Sequence, residues 1–207
     1  MKAVLLPLLA MAVSAADLPK LIYSKSFPGS APAYTAITVD KEGAGIYKEA
    51  VDDDSPLLFK LTPKETGELF ALADKLGHFA RKLESGLKVA KLGVKTFRYE
   101  NGAEVSEVQF NYSTDLDAQK LLDWFERIAE SERLRMDLER VVRFDKLGVN
   151  QALLELEAAR DNKRLVSPEQ FLPLLDRIVK NESFMHMSRT RAASLAEDFR
   201  SPKPEPQ

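Results

Sequence analysis

The longest regular pattern of apolar and polar side chains runs from residue 113 to residue 147 and predicts one long amphipathic helix. Thr114 is a candidate N-cap, with Asp117 three residues later. Apolar side chains recur at helical spacing in the first half, at Leu121, Leu122, Phe125, Ile128 and Ala129. Beyond Glu132 a second stripe, rotated relative to the first, continues at Leu134, Leu138, Val141 and Val142. We therefore expect the first half of the helix to cover a sheet and the second half to pack against other helices.

Short β-rich segments precede this helix. Residues 34–39 and 46–51 flank a turn with two glycines, and residues 95–100 and 105–112 flank Asn101-Gly102, a strong hairpin signal. Residues 21–27 and 57–61 are further candidate strands. A helix over residues 63–76 is predicted between the hairpins, because Thr62, Pro63 and Glu65 form a typical helix start. Residues 78–93 receive no assignment.

Only helices are predicted after residue 147. Asn150 is a candidate cap for one helix, a capping box at residues 167–170 opens another, and Ser183 is a candidate cap for the last. Strands followed by helices indicate an α+β fold. We predict an antiparallel sheet of hairpins packed on the long helix in residues 17–147, an all-helical part in residues 148–200, and a disordered, Pro-rich tail in residues 201–207.

The first residues predict export. Residues 1–16 combine Lys2, an apolar run and small residues at the end, which is the layout of a secretory signal peptide with cleavage near Ala15 and Ala16. No later apolar run is long enough to cross a bilayer. The chain has no cysteine, so disulfides and thiol chemistry are excluded. These features favour a soluble bacterial protein in the periplasm or outside the cell.

Four segments in this order resemble a pattern found in exported bacterial α+β domains of unknown function. They are ITVDKEGAGIYKE, FKLTPKETGELFALADKL, KTFRYENGAEVSEVQFNY and LLDWFERI. The resemblance covers about residues 34–129 and is one of layout. It implies the fold and the export, and it carries over no functional residues.

Charge narrows the possible partners. A formal net charge of -2 gives no basic surface for nucleic acid or for an anionic membrane. Lys88, Lys91 and Lys95 make one segment basic, and aromatic residues are not interleaved with them. This segment is either a solvated face or a binding site for an anion or an acidic partner.

Candidate metal ligands are few. Asp52, Asp53 and Asp54 could bind a hard cation, although a solvated acidic loop has the same composition. His78 and His186 each lack a second ligand at metal spacing. No cofactor is predicted, because the glycines do not form a phosphate-binding loop.

No catalytic signature is present in the sequence. Serine lacks the context of a nucleophile elbow, whereas an acidic pair assembled in the fold stays open among 32 Asp and Glu residues. Trp124 is either at the edge of the core or an anchor for a protein contact.

The sequence therefore favours an exported, non-catalytic module that binds another envelope or secreted protein or has a structural role. Two alternatives remain: a hydrolase with an Asp/Glu pair, and a binder of a small ligand or a cation. The sequence does not define catalytic residues or the oligomeric state.

Overall fold

The structure, a computed structural model, describes residues 18–201. The predicted signal peptide, with Ala15 and Ala16, and the tail from residue 202 lie outside the described residues. Within residues 18–201, no helix is both long enough and apolar enough to span a membrane.

Six strands form one antiparallel sheet in the described part of the chain. They are β1 (Lys20–Ser26), β2 (Tyr34–Asp40), β3 (Ala44–Lys48), β4 (Leu57–Lys60), β5 (Val94–Asn101) and β6 (Glu104–Phe110). The order across the sheet is β4-β3-β2-β1-β5-β6. Strand β1 therefore pairs with β2 on one side and with β5, the first strand of the β5–β6 hairpin, on the other. The predicted α+β fold is confirmed.

Alternation along the strands gives the sheet one buried face. The central row on this face, from one edge strand to the other, contains Leu57, Tyr47, Ile37, Tyr23, Phe97 and Val108. In the next row Gly45 lies opposite Phe59, and a Cβ at Gly45 would come within 2.1 Å of the Phe59 ring. A glycine is therefore required here, because the ring fills the place of its side chain.

Five α-helices follow or interrupt the strands in residues 18–201. They are α1 (Pro63–Lys75), α2 (Leu116–Phe144), α3 (Val149–Asp161), α4 (Leu172–Lys180) and α5 (His186–Arg200). There are also two short 3-10 helices. Gly77–Phe79 is followed by irregular chain, and Pro168–Phe171 leads directly into α4. The capping box predicted for α1 is present, with Glu65 accepting from the Thr62 backbone N–H at 2.8 Å.

The predicted caps of α2, α3 and α5 are wrong. Asp115, not Thr114, caps α2, because its carboxylate accepts from the backbone N–H groups of both Asp117 and Ala118. Helix α3 begins directly after Gly148, and the Asn150 side chain accepts instead from Arg191. Helix α5 begins at His186, three residues after Ser183.

Helix α2 connects two hydrophobic clusters, as its two apolar stripes predict. The first cluster contains Leu121, Phe125 and Ile128 together with α1 and the buried face of the sheet. The second contains Leu138, Val141 and Val142 together with α3, α4 and α5. Helix α2 thus contributes to two hydrophobic cores, one in a sheet half and one in a helical half of the protein.

Hydrogen bonds join the two halves where residues 165–170 lie against α1, α2 and β4. The Ser131 hydroxyl accepts from the Val166 N–H at 2.9 Å, and the Gln170 side chain accepts from the Lys60 N–H at 2.9 Å. Ser167 does not cap a helix as predicted. Its N–H and hydroxyl both donate to Glu65 of α1 instead.

We expect Glu65→Gln to lower the free energy of unfolding by about 1–3 kcal/mol at pH 7, because Glu65 accepts hydrogen bonds from both Thr62 and Ser167. Burial alone would raise the pKa of Glu65, but these hydrogen bonds outweigh it and hold the pKa below its ordinary value of 4.5. The stabilisation is therefore complete above pH 4.5 and is lost as the pH falls through the pKa of the folded state. Urea unfolding at several pH values measures this.

The matched control is Glu68→Gln, because Glu68 is an exposed glutamate of the same helix. Its stability should stay within about 0.5 kcal/mol of the wild type at every pH. A Glu65→Gln variant with the same loss at acidic and neutral pH would contradict the assigned role of the carboxylate.

Candidate protein-docking groove

A groove lies between α1 and α2 on the surface of the sheet half. Its volume is about 620 Å³, and apolar side chains from both helices line it: Ala71, Leu72, Leu116 and Trp124. Arg81, which follows the short 3-10 helix after α1, donates to Asp115, the N-cap of α2. The C-terminal end of α1 thus lies beside the N-terminal end of α2, so the two helices are antiparallel.

Trp124 is half-buried and forms one wall of this groove. It packs against the sheet-side cluster, and the Arg127 guanidinium lies 4.7 Å from the centre of its ring. Arg127 in turn donates to the Leu165 carbonyl at 3.2 Å. The indole is therefore held in place, so its side chain loses less conformational entropy when a partner binds.

Leu116 is a largely exposed apolar side chain of the groove, with 71% of its surface accessible. It falls outside the inward stripe of α2, which is the sequence signal for an exposed position. The sequence does not identify the groove residues of α1, because the periodicity of one helix does not show which distant helix packs beside it.

Charge differs between the two ends of the groove. On α1, Glu68 and Lys75 lie about two helical turns apart along the groove, whereas on α2 Lys120 and Asp123 lie within one turn of each other and Lys120 pairs with Asp117 at 3.9 Å. Asp123 also pairs with Arg164 at 2.6 Å, so Glu68 contributes most of the free negative charge. The groove charges without an ion pair in the described structure are therefore those of α1, Lys75 towards one end and Glu68 towards the other.

The three predicted binding lysines differ in their surroundings. Lys88 and Lys91 are exposed in irregular chain, whereas Lys95 is only 5% exposed and donates to the Asn111 carbonyl at 2.8 Å. Burial, followed by the positive charge of Lys25, lowers the pKa of Lys95. Lys95 thus belongs to the interior of the sheet half, and its neighbour in space is Lys25.

The acidic run from Asp52 to Asp54 remains a predicted cation site, and its geometry adds no support for this prediction. Asp53 accepts from the backbone N–H groups of Ser55 and Glu49, at 2.9 and 3.4 Å, and so closes the loop between β3 and β4. Within residues 18–201, no three His, Asp or Glu side chains are grouped so as to hold a metal ion. Asp52 and Asp54 lie beside Asp53 in this loop, and both are exposed.

Several carboxylates line a second cleft, between the sheet and the middle of α2. Glu130 pairs with Arg164 at 2.9 Å, Asp137 with Arg140 at 3.3 Å, and Glu155 accepts from Gln151 at 3.0 Å. The exception is Glu126, which has no hydrogen bond or ion pair with the described residues. Paired carboxylates are poor candidates for the two free carboxyl groups that glycoside hydrolysis uses.

Neither His78 nor His186 lines this cleft. His78 stacks on Tyr99, with ring centres 4.0 Å apart, and its Nε2 lies 2.8 Å from Asp74. His186 is exposed at the start of α5. Within residues 18–201, neither histidine ring forms a hydrogen bond with a serine hydroxyl as in a catalytic triad, and the Ser106 hydroxyl donates to the backbone carbonyl of His78.

Comparisons with known proteins do not assign these surfaces. No protein-family model, curated protein or solved structure matches the chain.

Proposed function

We propose that this chain is an exported, non-catalytic module that binds another envelope or secreted protein through the groove between α1 and α2. The observation that carries the proposal is the position of Trp124, fixed by Arg127 beside the exposed Leu116 in an open groove. Tryptophan in a partly desolvated site is the side chain that most often dominates binding energy. Export rests on the signal-peptide pattern of residues 1–16.

The shape and charge of the groove favour one kind of partner segment. Two antiparallel helices present an apolar strip between them, and the apolar face of an amphipathic helix fits such a strip. From Glu68 to Lys75 the groove spans about 10 Å, or two helical turns, at 1.5 Å per residue. A segment with a basic end beside Glu68 and an acidic end beside Lys75 complements these charges.

The test uses a photo-crosslinking amino acid at Leu116 in the full-length protein, expressed in its own cells. We expect a cross-link to a short amphipathic segment of one partner, and loss of that cross-link in the Trp124→Ala variant. With the purified partner, Trp124→Ala should weaken binding about thirtyfold, the size of a typical hot-spot truncation.

Phe144→Ala is the matched control, because Phe144 is an exposed aromatic residue at the far end of the same helix, outside the groove. This variant should bind as the wild type does. The proposal fails if Trp124→Ala binds as tightly as Phe144→Ala, or if the cross-linked segment has no apolar face.

A further inference from the structure

The two edge strands of the sheet differ in how their outer backbone groups are satisfied. At β4, Arg135 donates to the Leu58 carbonyl at 2.8 Å, and the Gln170 side chain accepts from the Lys60 N–H at 2.9 Å. Side chains from α2 and from the 3-10 helix before α4 therefore close part of this edge. At the other side of the sheet, β6 pairs with β5 alone, so its outer side is the second edge.

The turn between β5 and β6 determines which backbone groups of β6 face outward. Asn101 and Glu104 flank a turn of two residues, and in such a hairpin the flanking residues exchange both of their hydrogen bonds. Alternate residues from Glu104 onward then hydrogen-bond to β5, and the residues between them direct their N–H and C=O groups away from it. The outward-facing residues of β6 are Val105, Glu107 and Gln109.

Asn111 is the next residue in this alternation and supports the assignment, because its N–H donates to the Glu84 carboxylate at 2.6 Å and not to β5. Apart from the ladder with β5, no residue in 18–201 hydrogen-bonds to the backbone N–H or C=O groups of Val105, Glu107 or Gln109. All three residues are exposed. Strand β6 therefore presents a row of three free N–H groups and three free C=O groups, which ends where Glu84 closes the edge.

Such an edge can pair with another strand unless the protein protects it, usually with proline, lysine, a bulge or a covering segment. The β6 sequence, EVSEVQF, contains neither proline nor lysine, and its register with β5 is continuous over all seven residues. The free groups recur at every second residue, which is the spacing of donors and acceptors in an extended chain. The edge is therefore complementary to the backbone of an extended peptide.

Glu107 argues against a second copy of the chain as this peptide. Two β6 strands related by a two-fold axis would run antiparallel. In each register that pairs two or more of the outward-facing residues, the two Glu107 side chains lie directly or diagonally opposite each other on the same face. Like charges across a strand pair repel, so a segment of a different protein fits this edge better.

The charges on the open face of the sheet indicate what such a segment carries. Val108 belongs to the buried face, so Glu107 lies on the open face. Behind it, Arg98 pairs with Glu107 and Glu100 at 3.3 and 2.7 Å, and Lys20 of β1 lies opposite Glu100. Because these other charges belong to β5 and β1, Glu107 is the charged side chain that meets an added strand. A basic residue opposite Glu107 forms a favourable cross-strand pair.

The other face of the edge favours apolar side chains in its middle. Val108 is partly buried against the sheet-side cluster, so an apolar residue beside it extends this packing. Charges on this side lie towards the two ends of the strand. Glu104, at the turn, is 3.7 Å from the His78 ring, and the exposed Lys91 belongs to chain that hydrogen-bonds to Asn111 just after the strand.

We propose that the free edge of β6 binds an extended segment of another protein, which adds to the sheet as a further antiparallel strand. The segment has a basic residue opposite Glu107 and apolar residues opposite Ser106 and Val108. Backbone hydrogen bonds to β6 supply the affinity, and these side chains fix the register. The site shares no residue with the α1–α2 groove and does not depend on the function proposed above.

The test uses the acetylated and amidated pentapeptide Thr-Val-Lys-Val-Thr, added to the purified, isotope-labelled protein. Its sequence is the same in both directions, so that the lysine opposite Glu107 places a valine opposite both Ser106 and Val108. Amide hydrogen exchange is followed by NMR. We expect the amides of Val105, Glu107 and Gln109 to exchange fast in the free protein and about tenfold or more slowly with saturating peptide.

Two peptides with a single methyl group on a backbone nitrogen distinguish strand addition from other modes of binding. In the antiparallel pair, the lysine nitrogen of the peptide points towards β6, whereas the valine nitrogens point away from it. Methylation of the lysine nitrogen should weaken binding about tenfold or more, and methylation of one valine nitrogen should change it by less than about threefold. The protein is the same in both measurements, so a change in its folding cannot produce the difference.

Glu107→Pro removes the central N–H group of the edge together with the carboxylate, and we expect it to weaken binding about tenfold or more. Proline is tolerated in an edge strand where the N–H faces solvent. Glu107→Gln keeps the backbone and should weaken binding about threefold. Glu68→Gln is the matched control and should bind as the wild type does, because Glu68 is an exposed glutamate in the α1–α2 groove.

The proposal is overturned if none of the three amides is protected at about 10 mM peptide, a concentration that would occupy even a millimolar site. It is also overturned if the lysine-methylated peptide binds as tightly as the parent, or if Glu68→Gln weakens binding more than Glu107→Pro does, since the peptide then lies in the groove. A concentration-dependent dimer in ultracentrifugation that Glu107→Pro abolishes would identify a second copy as the occupant instead. A melting temperature measured for each variant separates lost binding from lost folding.

Discussion

Replacing Arg135 by methionine is expected to lower the free energy of unfolding by about 3–5 kcal/mol at pH 7, because it leaves a buried carboxylate without its partner. Glu132 is 2% exposed, and the Arg135 Nε donates to it at 2.9 Å. Arg135 also donates to the Leu58 carbonyl on the outer edge of β4 at 2.8 Å. The variant therefore loses a charge partner and a bond that closes the edge of the sheet.

The loss should depend on pH. Burial raises the pKa of Glu132 above its ordinary value of 4.5, and Arg135 acts in the opposite direction. Without Arg135 the pKa rises further, so the folded state holds its proton more tightly than the unfolded state. Stability is then highest below pH 4.5 and falls as the pH rises towards the pKa of the folded state. Thermal unfolding of Arg135→Met over about four pH units, from about pH 4 to about pH 8, measures this slope.

Arg140→Met is the matched control, because Arg140 pairs with Asp137 at the same spacing on the same helix but both side chains are largely exposed. It should cost less than about 1 kcal/mol. A second variant, Glu132→Gln with Arg135→Met, should recover part of the stability at pH 7 by removing the buried charge. Equal losses in Arg135→Met and Arg140→Met would contradict the role assigned to burial.

Periodicity predicts the parts of this fold that depend on one segment alone. The two stripes of α2 identify both of its partners, the sheet and the helical half, because each stripe repeats along the helix itself. Capping is less predictable, since Thr114 and Asp115 both suit the role. The carboxylate of Asp115 wins because it reaches two N–H groups at once. The hairpin turn lies one residue later than the predicted Asn101-Gly102. Asn101 pairs with Glu104, so Gly102 and Ala103 form the turn.

Contacts between distant segments decide what the sequence pattern misses. Ser167 has the sequence of a capping box, yet its hydroxyl donates to Glu65, which is 102 positions away. The repulsion between Lys25 and Lys95 follows from strand register, which no local pattern reveals. Trp124 is at the boundary of the core as its helix position predicts, whereas α1 completes its groove through tertiary packing.

Phe125→Ala should cost about 3–5 kcal/mol of unfolding free energy, because it removes a fully buried aromatic ring at the contact between α2 and the sheet. Phe125 is fully buried, and its ring centre lies 5.0 Å from that of Tyr23 and 5.9 Å from that of Phe97. The rigid sheet cannot collapse into the space, so a cavity remains. Phe144→Ala on the same helix, where the ring is 82% exposed, should change stability by less than about 0.5 kcal/mol.

This variant also tests whether the two halves unfold together. Trp124 is the single tryptophan of the chain, so its fluorescence reports on the sheet half, while far-UV circular dichroism is dominated by the helices of both halves. Because α2 is continuous through both clusters and residues 165–170 are hydrogen-bonded across them, we expect one coincident transition, shifted equally for both signals. A shifted fluorescence transition beside an unshifted helical one would show that α2 does not couple the two clusters.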